Sequence, residues 1–349
     1  MVRIPKSQAT EDKVETCHNE IAWRTHVLNA LFDSQILWRR RIIPLVYAWF
    51  ERSEIIPSSE KEKRVPTFIM EEVPLGTPLE PDFAAMPIAQ KQDILVQIAR
   101  VYKFFQDHKL PGNARFGRAG QLMPTGMTFW GEPDTGVWDT YETMALGQLK
   151  ARLQVADDNA HIKGWRGTEL RVRERLDDLL FRGLRFEKLT KSSEKCLVHG
   201  ALTLKNILYD RGSNTVTCLV NFRHVSVSHP SHEFIHFLDG RFIHRSLIEG
   251  NKVNGGLPLL DASDPAKLRP FGWDTVRLWN ETLHHLKIPI RPRKMTGFEK
   301  VAVFFQLISF VVPWSLRDEP GVTKNPKKIR QRKDKAEEIL DELLKYLGV

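Results

Sequence analysis

Between Cys196 and Phe222 the chain reads CLVHGALTLKNILYDRGSNTVTCLVNF. A short apolar run ends at His199-Gly200, a loop follows, and two more strand-like runs flank the segment RGSNT. Gly212 and Asn214 supply turn chemistry between those runs, so the spacing predicts a β-hairpin directly after the loop. Long helical patterns lie on both sides of this unit. Strands grouped in this way do not alternate with helices as in a parallel α/β sheet, and the order predicts an α+β chain.

The N-terminal third carries the remaining strands. Residues 11–32 place Ile21, Val27, Leu28 and Leu31 at three- and four-residue steps, which predicts a helix. IIPLVYAWF (42–50) and TFIMEEV (67–73) are rich in β-branched and aromatic residues and read as strands. The polar segment between them reads as a hairpin loop. Gly76 and Pro78 punctuate the turn PLGTP after the second strand. IAQKQDILVQIARVYKFFQDHKL is a strong amphipathic helix, and residues 111–140, with six Gly and three Pro, are rich in loops. Two helical patterns in 141–190 are split by GWRG at 164–167. Helical patterns fill the chain after the hairpin.

Composition excludes several classes. The 349 residues suffice for two lobes with separate cores. The longest apolar run, VAVFFQLISFVVPW (301–314), is interrupted by Gln306 and closed by a proline, so it predicts a buried core helix rather than a membrane span. The N-terminus has no apolar h-region of a secretory signal. Cys17, Cys196 and Cys218 are odd in number and far apart, which gives no disulfide framework or zinc knuckle. A cytoplasmic location is the expectation. The net charge of +9 is partly concentrated in Arg39-Arg40-Arg41 and in KNPKKIRQRKDK (324–335), which precedes the acidic amphipathic segment AEEILDELLKYL. Such runs suit phosphates or nucleic acid, or form a solvated helix face with a basic linker. No nucleic-acid motif accompanies them.

His199-Gly200 with Asn206, then Val220-Asn221-Phe222, then HPSHEF (229–234), resembles the aminoglycoside phosphotransferase and choline kinase family of the protein-kinase-like fold. The motifs are most similar to those of fungal members. RTHVLNAL with IPLVYAW, and FIMEEVPLGTPL, resemble the family's helix-and-strand pair and its hinge with the adjoining turn, so the likeness runs over about residues 1–245. It implies a two-lobed α+β fold: a truncated N-lobe over 1–78 with its hinge near 67–78, and a helical C-lobe over 79–349. The C-lobe would carry a catalytic loop at 199–206 and a metal-loop segment at 220–234.

In that family phosphoryl transfer rests on positioning and charge neutralisation. The resemblance assigns the general-base position to Ala201, which cannot accept a proton. It assigns the metal positions to Asn206 and to Asn221, where the family has Asp. A neutral amide is a poor substitute for carboxylate on a hard cation. It places the strand cation at Arg3 with Glu20 as helix partner, and the nucleotide-contacting hinge at Glu71, Glu72 and Val73. The glycine-rich loop that covers the phosphates would precede Arg3, where this sequence has two residues, so that loop is expected to be missing. Phe222 becomes a core anchor, and Pro230 and Glu233 cap the next helix.

Other constellations compete. His232-Glu233-Phe234-Ile235-His236 matches H-E-x-x-H, with His244 or Glu249 as a third zinc ligand, but the same residues are already explained by the HPSHEF resemblance. His224, His229, His232, His236 and His244 crowd one region and offer a substitute base. Asp157-Asp158 reads as a loop pair able to bind metal, and Asp177-Asp178 as a surface pair matched to Arg173 and Arg175. Trp130, Trp138 and Trp165 fill the core or line an acceptor pocket.

The resulting expectation is a phosphotransferase-family protein with degenerate motifs that binds a small molecule or partner in the old cleft. ATP and magnesium enter only with residual kinase activity. The alternatives are a retooled biosynthetic enzyme using the kinase-like cleft for non-kinase chemistry with His199, His224 or Asn206, a weakly active small-molecule kinase lacking an N-terminal segment, and a basic nucleic-acid binder.

Overall fold

A computed structural model describes residues 2–3, 20–21, 24, 42–50, 68–110, 112, 114–117, 122–123, 126–127, 137–186, 189, 191–236, 273–291, 295–317 and 325–349. The expectations for Trp130, His244, Glu249 and most of the 11–32 helix lie outside these residues, as do those for the 51–66 loop and the Arg39–Arg41 run.

The N-terminal strands form one antiparallel sheet. β1 (Val2–Arg3) and β2 (Val46–Phe50) flank β3 (Phe68–Glu71), so the order is β1-β3-β2. Arg3 lies opposite Ile69, and Phe50 opposite Phe68. Ile69 is buried and its neighbour Met70 exposed, the alternation of a sheet with one covered face. Glu20, Ile21 and Arg24 are helical and buried against this region.

The turn after β3 leads to β4 (Thr77–Pro78), which pairs with the hairpin of the sequence motif. Gly76 has φ +97, and a Cβ there would collide with the backbone of Tyr209, so the close approach requires glycine. Next come the short α1 (Glu80–Phe83) and α2 (Ile88–Asp107). α2 buries Ile94, Leu95, Ile98, Val101, Tyr102 and Phe105 along one stripe. β5 (Leu122–Met123) and β6 (Gly126–Met127) form a small ribbon.

α3 (Tyr141–Asp158) opens on a capping box between Thr140 and Thr143. α4 (Val172–Arg182) follows the GWRG break, which contains a 3-10 turn at Lys163–Trp165. β7 (Cys196–Val198) enters the loop, and β8 (Ile207–Asp210) with β9 (Thr215–Leu219) forms the expected hairpin. β10 (Ser226–Ser228) returns antiparallel to β7 and runs into α5 (Ser231–His236).

Among the described residues that follow, three α-helices form: α6 (Trp273–His285), α7 (Phe298–Val311) and α8 (Pro326–Leu347). α7 is apolar on nearly all sides and buried, as its sequence predicts. No helix among the described residues is long and apolar enough to cross a membrane.

The structure corrects four readings. The basic run from Lys327 to Lys335 is not a linker, because it forms the first half of α8. Asn325 caps that helix by accepting from the Lys327 and Lys328 amides, and Asp341 further on pairs with Arg175 at 2.6 Å. Asp157-Asp158 is not a loop pair, because α3 runs through both residues. Asp157 pairs with Arg173 at 2.6 Å and Arg166 at 3.1 Å, which spends its charge on arginines rather than on a metal. Asp177 pairs with Arg173 as read, but Asp178 pairs with Arg182, since that residue stands one helical turn away. The fourth concerns Glu233 and is given with the site. Trp165 belongs to the core, fully buried with its indole N–H on the Val311 carbonyl at 2.9 Å, and Trp138 packs partly buried against the core and over Gly147.

Leu344 on α8 is fully buried, so Leu344→Ala should cost about 2–5 kcal/mol of unfolding free energy in urea titration. Asn325→Ala, which removes only the cap, should cost about 1 kcal/mol.

Candidate functional site

The site is the loop from His199 to Asn206 between β7 and β8, together with the turn at Asn221 that leaves β9. Two sets of hydrogen bonds set its shape. Within the loop, the Asn206 side chain donates to the Ala201 carbonyl at 2.8 Å, and the Thr203 amide donates to the same oxygen at 2.8 Å. The Asn206 amide donates to the Thr203 carbonyl at 2.9 Å. Across the strands, the Val220 amide donates to the Asn206 carbonyl at 3.0 Å. That bond holds Asn221 beside Asn206. Sequence reasoning took these two residues for the metal pair, and the backbone brings them together.

The third anchor is Glu233. Its Oε2 accepts the His199 amide in a short hydrogen bond and the Gly200 amide at 3.3 Å. The Leu202 amide also acts on this carboxylate. The reading of Glu233 as a helix cap is therefore corrected: the side chain leaves its own helix and holds the loop. The same geometry removes Glu233 from the H-E-x-x-H reading, because the carboxylate that would serve as base is spent on backbone amides. His232 turns its Nδ1 to the Tyr141 hydroxyl at 3.3 Å. Burial pushes Glu233 up to about 7, and the three amides only partly oppose that rise.

His199 is fully buried, edge-on to Phe222 with ring centroids 4.8 Å apart. Burial, with a smaller contribution from His224, pushes its pKa down to about 3, and the Val220 carbonyl only partly opposes them. The ring is therefore neutral at physiological pH and turned into the core, where it cannot exchange protons with a ligand. His224 is exposed, and its carbonyl lies so close to Gly200 that a Cβ at that glycine, whose φ is +70, would collide with it. Asn221 also adopts the left-handed region, with φ 69 and ψ 52, which Asn tolerates better than most residues.

Above Phe222 sits a residue that sequence reasoning passed over. The Arg24 guanidinium lies 5.9 Å from the Phe222 ring centre. It pairs with Glu71 at 2.5 Å and with Glu20 at 3.5 Å, and also donates to the Pro44 carbonyl. All three charged side chains are buried. The Glu20–Arg24 spacing of four residues was the available signal. Arg3 lies on β1 beside β3, but its side chain is outside the described residues, so its pairing with Glu20 stays an expectation.

The residues expected at the hinge, Glu71, Glu72 and Val73, differ among themselves. Glu71 faces Arg24. Glu72 exchanges two bonds with Leu45, amide to carbonyl at 2.8 Å and carboxylate to amide at 3.2 Å. The Val73 side chain is exposed, and its amide and carbonyl have no protein partner among the described residues.

A small antiparallel sheet, a helical mass and an Asn-bearing loop followed by a hairpin together are consistent with the protein-kinase-like fold. The chain belongs to the phosphotransferase enzyme family, whose model matches residues 1–271.

The solved structures agree on the fold. A Ralstonia eutropha protein assigned to the aminoglycoside phosphotransferases aligns with 100% of this chain and 92% of its own at 12% identity, with a TM-score of 0.51. ADP-bound aminoglycoside phosphotransferase APH(2'')-Ib aligns with 99% of this chain and 94% of its own at 14% identity, with a TM-score of 0.50. APH(2'')-IIa in complex with gentamicin aligns with 98% and 86% at 14% identity, also with a TM-score of 0.50. Among curated proteins nothing matches the chain.

The raised pKa of Glu233 has a signed consequence. Below pH 4.5 the group is protonated whether folded or not, and above about 7 it is ionised in both states. Between these values the folded state holds more protons, so the stabilisation present at low pH is lost as pH rises. Relative to Glu233→Gln, wild-type stability should fall by about 3 kcal/mol from pH 4.5 to pH 7.5 in urea titrations. A pH-independent difference would contradict the buried, cation-free placement.

Proposed function

We propose that this protein is a catalytically degenerate phosphotransferase that binds a small molecule in the cleft between the hinge and the 199–206 loop. Residues 1–78 would contribute the N-lobe side of that cleft and 79–349 the helical side. The observation that carries the reading is Ala201. Its carbonyl takes the two loop hydrogen bonds that fix the turn, while its side chain is a methyl group where the family places a proton acceptor. The loop is thus fully assembled without a base.

Val73 would serve as the ligand's backbone contact, with one free donor and one free acceptor. Asn206 and Asn221 would face its polar groups as neutral amides. Relatives in fold described as bound to ADP or gentamicin support a small molecule as the occupant. Loss of general-base catalysis alone costs about a hundred- to ten-thousand-fold.

One observation favours a second reading, a retooled enzyme. His224 is exposed and adjoins Gly200, whereas His199 is buried and neutral. Any substitute proton acceptor at this loop would be His224.

The purified chain, given ATP or GTP with magnesium and a panel of hydroxylated and amino acceptors, should show no phosphoryl transfer above background. Turnover near the ordinary kinase range of about 1–100 per second would overturn the reading. Conversion of a small-molecule substrate without phosphoryl transfer, abolished by His224→Ala, would move the assignment to the second one.

A further inference from the structure

At the end of α6 the chain builds a second, unrelated pocket. It has a volume of about 490 Å³ and is lined by His284, His285, Lys287, Pro289 and Arg291. Among the described residues that line it, His284, His285, Lys287 and Arg291 are basic and none is acidic. We propose that it binds a small anion carrying phosphate or carboxylate groups.

Arg291 is the central observation. The residue is only 7% exposed, yet its guanidinium makes no ion pair with any carboxylate among the described residues. Its one protein hydrogen bond runs from Nη1 to the Ile288 carbonyl at 2.7 Å. A buried cation with no carboxylate partner among the described residues is better placed to gain from an anionic ligand than an exposed one. The remaining guanidinium donors belong to a pocket-lining side chain, and a planar fork of that kind suits an oxyanion.

The basic groups are not needed to finish the helix. The last carbonyls of α6 are already taken: Thr282 accepts from the Leu286 amide at 3.0 Å, His284 from Lys287 at 3.0 Å and Leu283 from Ile288 at 3.1 Å. The wall is also fixed in place. Ile288 and Ile290 are buried, and the Gln106 side chain on α2 donates to the Ile290 carbonyl at 3.0 Å. Lys287 and the two histidines remain exposed at the rim. The volume exceeds that of a bare oxyanion and falls within the range of about 300–1,000 Å³ of small-ligand pockets. A phosphorylated or polycarboxylate metabolite therefore fits better than a lone inorganic ion. The pocket shares no residue with the 199–206 loop, so it stands or falls independently of the cleft reading.

Calorimetry with pyrophosphate and with citrate at matched ionic strength tests it, on the wild type, Lys287→Glu and Arg291→Gln. At least one probe should bind the wild type saturably, and each substitution should weaken that binding at least fivefold. Pyrophosphate alone would assign a phosphate ligand, and citrate alone a carboxylate. If Arg291→Gln does not fold, Lys287→Glu decides by itself, because Lys287 is exposed and makes no side-chain bond that the fold requires. The proposal is overturned if neither probe saturates, or if Lys287→Glu binds less than fivefold more weakly than the wild type.

Discussion

The buried carboxylate of Glu233 holds the loop on which the rest of the site is built. Its hydrogen bonds to the His199 and Gly200 amides fix the point where β7 turns. With that turn fixed, His199 points into the core against Phe222, and the Ala201 carbonyl faces the Asn206 side chain. Asn206 in turn accepts the Val220 amide and so aligns the end of the hairpin. A carboxylate buried with only backbone donors is costly to ionise. On the proposed reading, this carboxylate holds the loop in place while Ala201 leaves it without a proton acceptor.

A second column of contacts extends from the loop to the N-terminal sheet. Phe105, His199, Phe222, Arg24 and Glu71 follow one another in space, from α2 to β3. Arg24 is the joint, because it meets an aromatic face on one side and two carboxylates on the other. Removing one partner of a buried ion pair generally costs about 3–5 kcal/mol, so these residues constrain one another. The cluster also accounts for Glu71, which lies at the end of β3 and turns inward to Arg24, while Val73 is exposed.

Much of this was legible in the sequence. The hairpin could be read from Gly212 and Asn214, the α2 stripe from its apolar spacing, and α7 from its long apolar run. The family came from the resemblance carried by His199-Gly200 with Asn206, by Val220-Asn221-Phe222 and by HPSHEF (229–234). Contacts between residues far apart in the chain were not legible. Nothing near Glu233 in sequence says that it reaches back 34 residues to the His199 amide. Arg24 reads as an ordinary helix charge until β3 brings Glu71 against it. Asp157 looked like a metal ligand because the helix end was placed too early, before the arginines of the next helix were in view. The anion pocket depends on burial of Arg291, which no local pattern reveals.

The central claim is that the loop keeps its frame while losing the charge that handles metal. Binding of ATP measured by calorimetry, with magnesium and with chelator, for the wild type and Asn221→Asp, addresses it most directly. Magnesium gives up its water reluctantly and prefers carboxylate, so two neutral amides are weak ligands. Wild-type affinity should be low and nearly independent of magnesium, and Asn221→Asp should gain a magnesium-dependent increase without phosphoryl transfer. A hundredfold rise in wild-type affinity with magnesium, about 2.7 kcal/mol, would contradict the account.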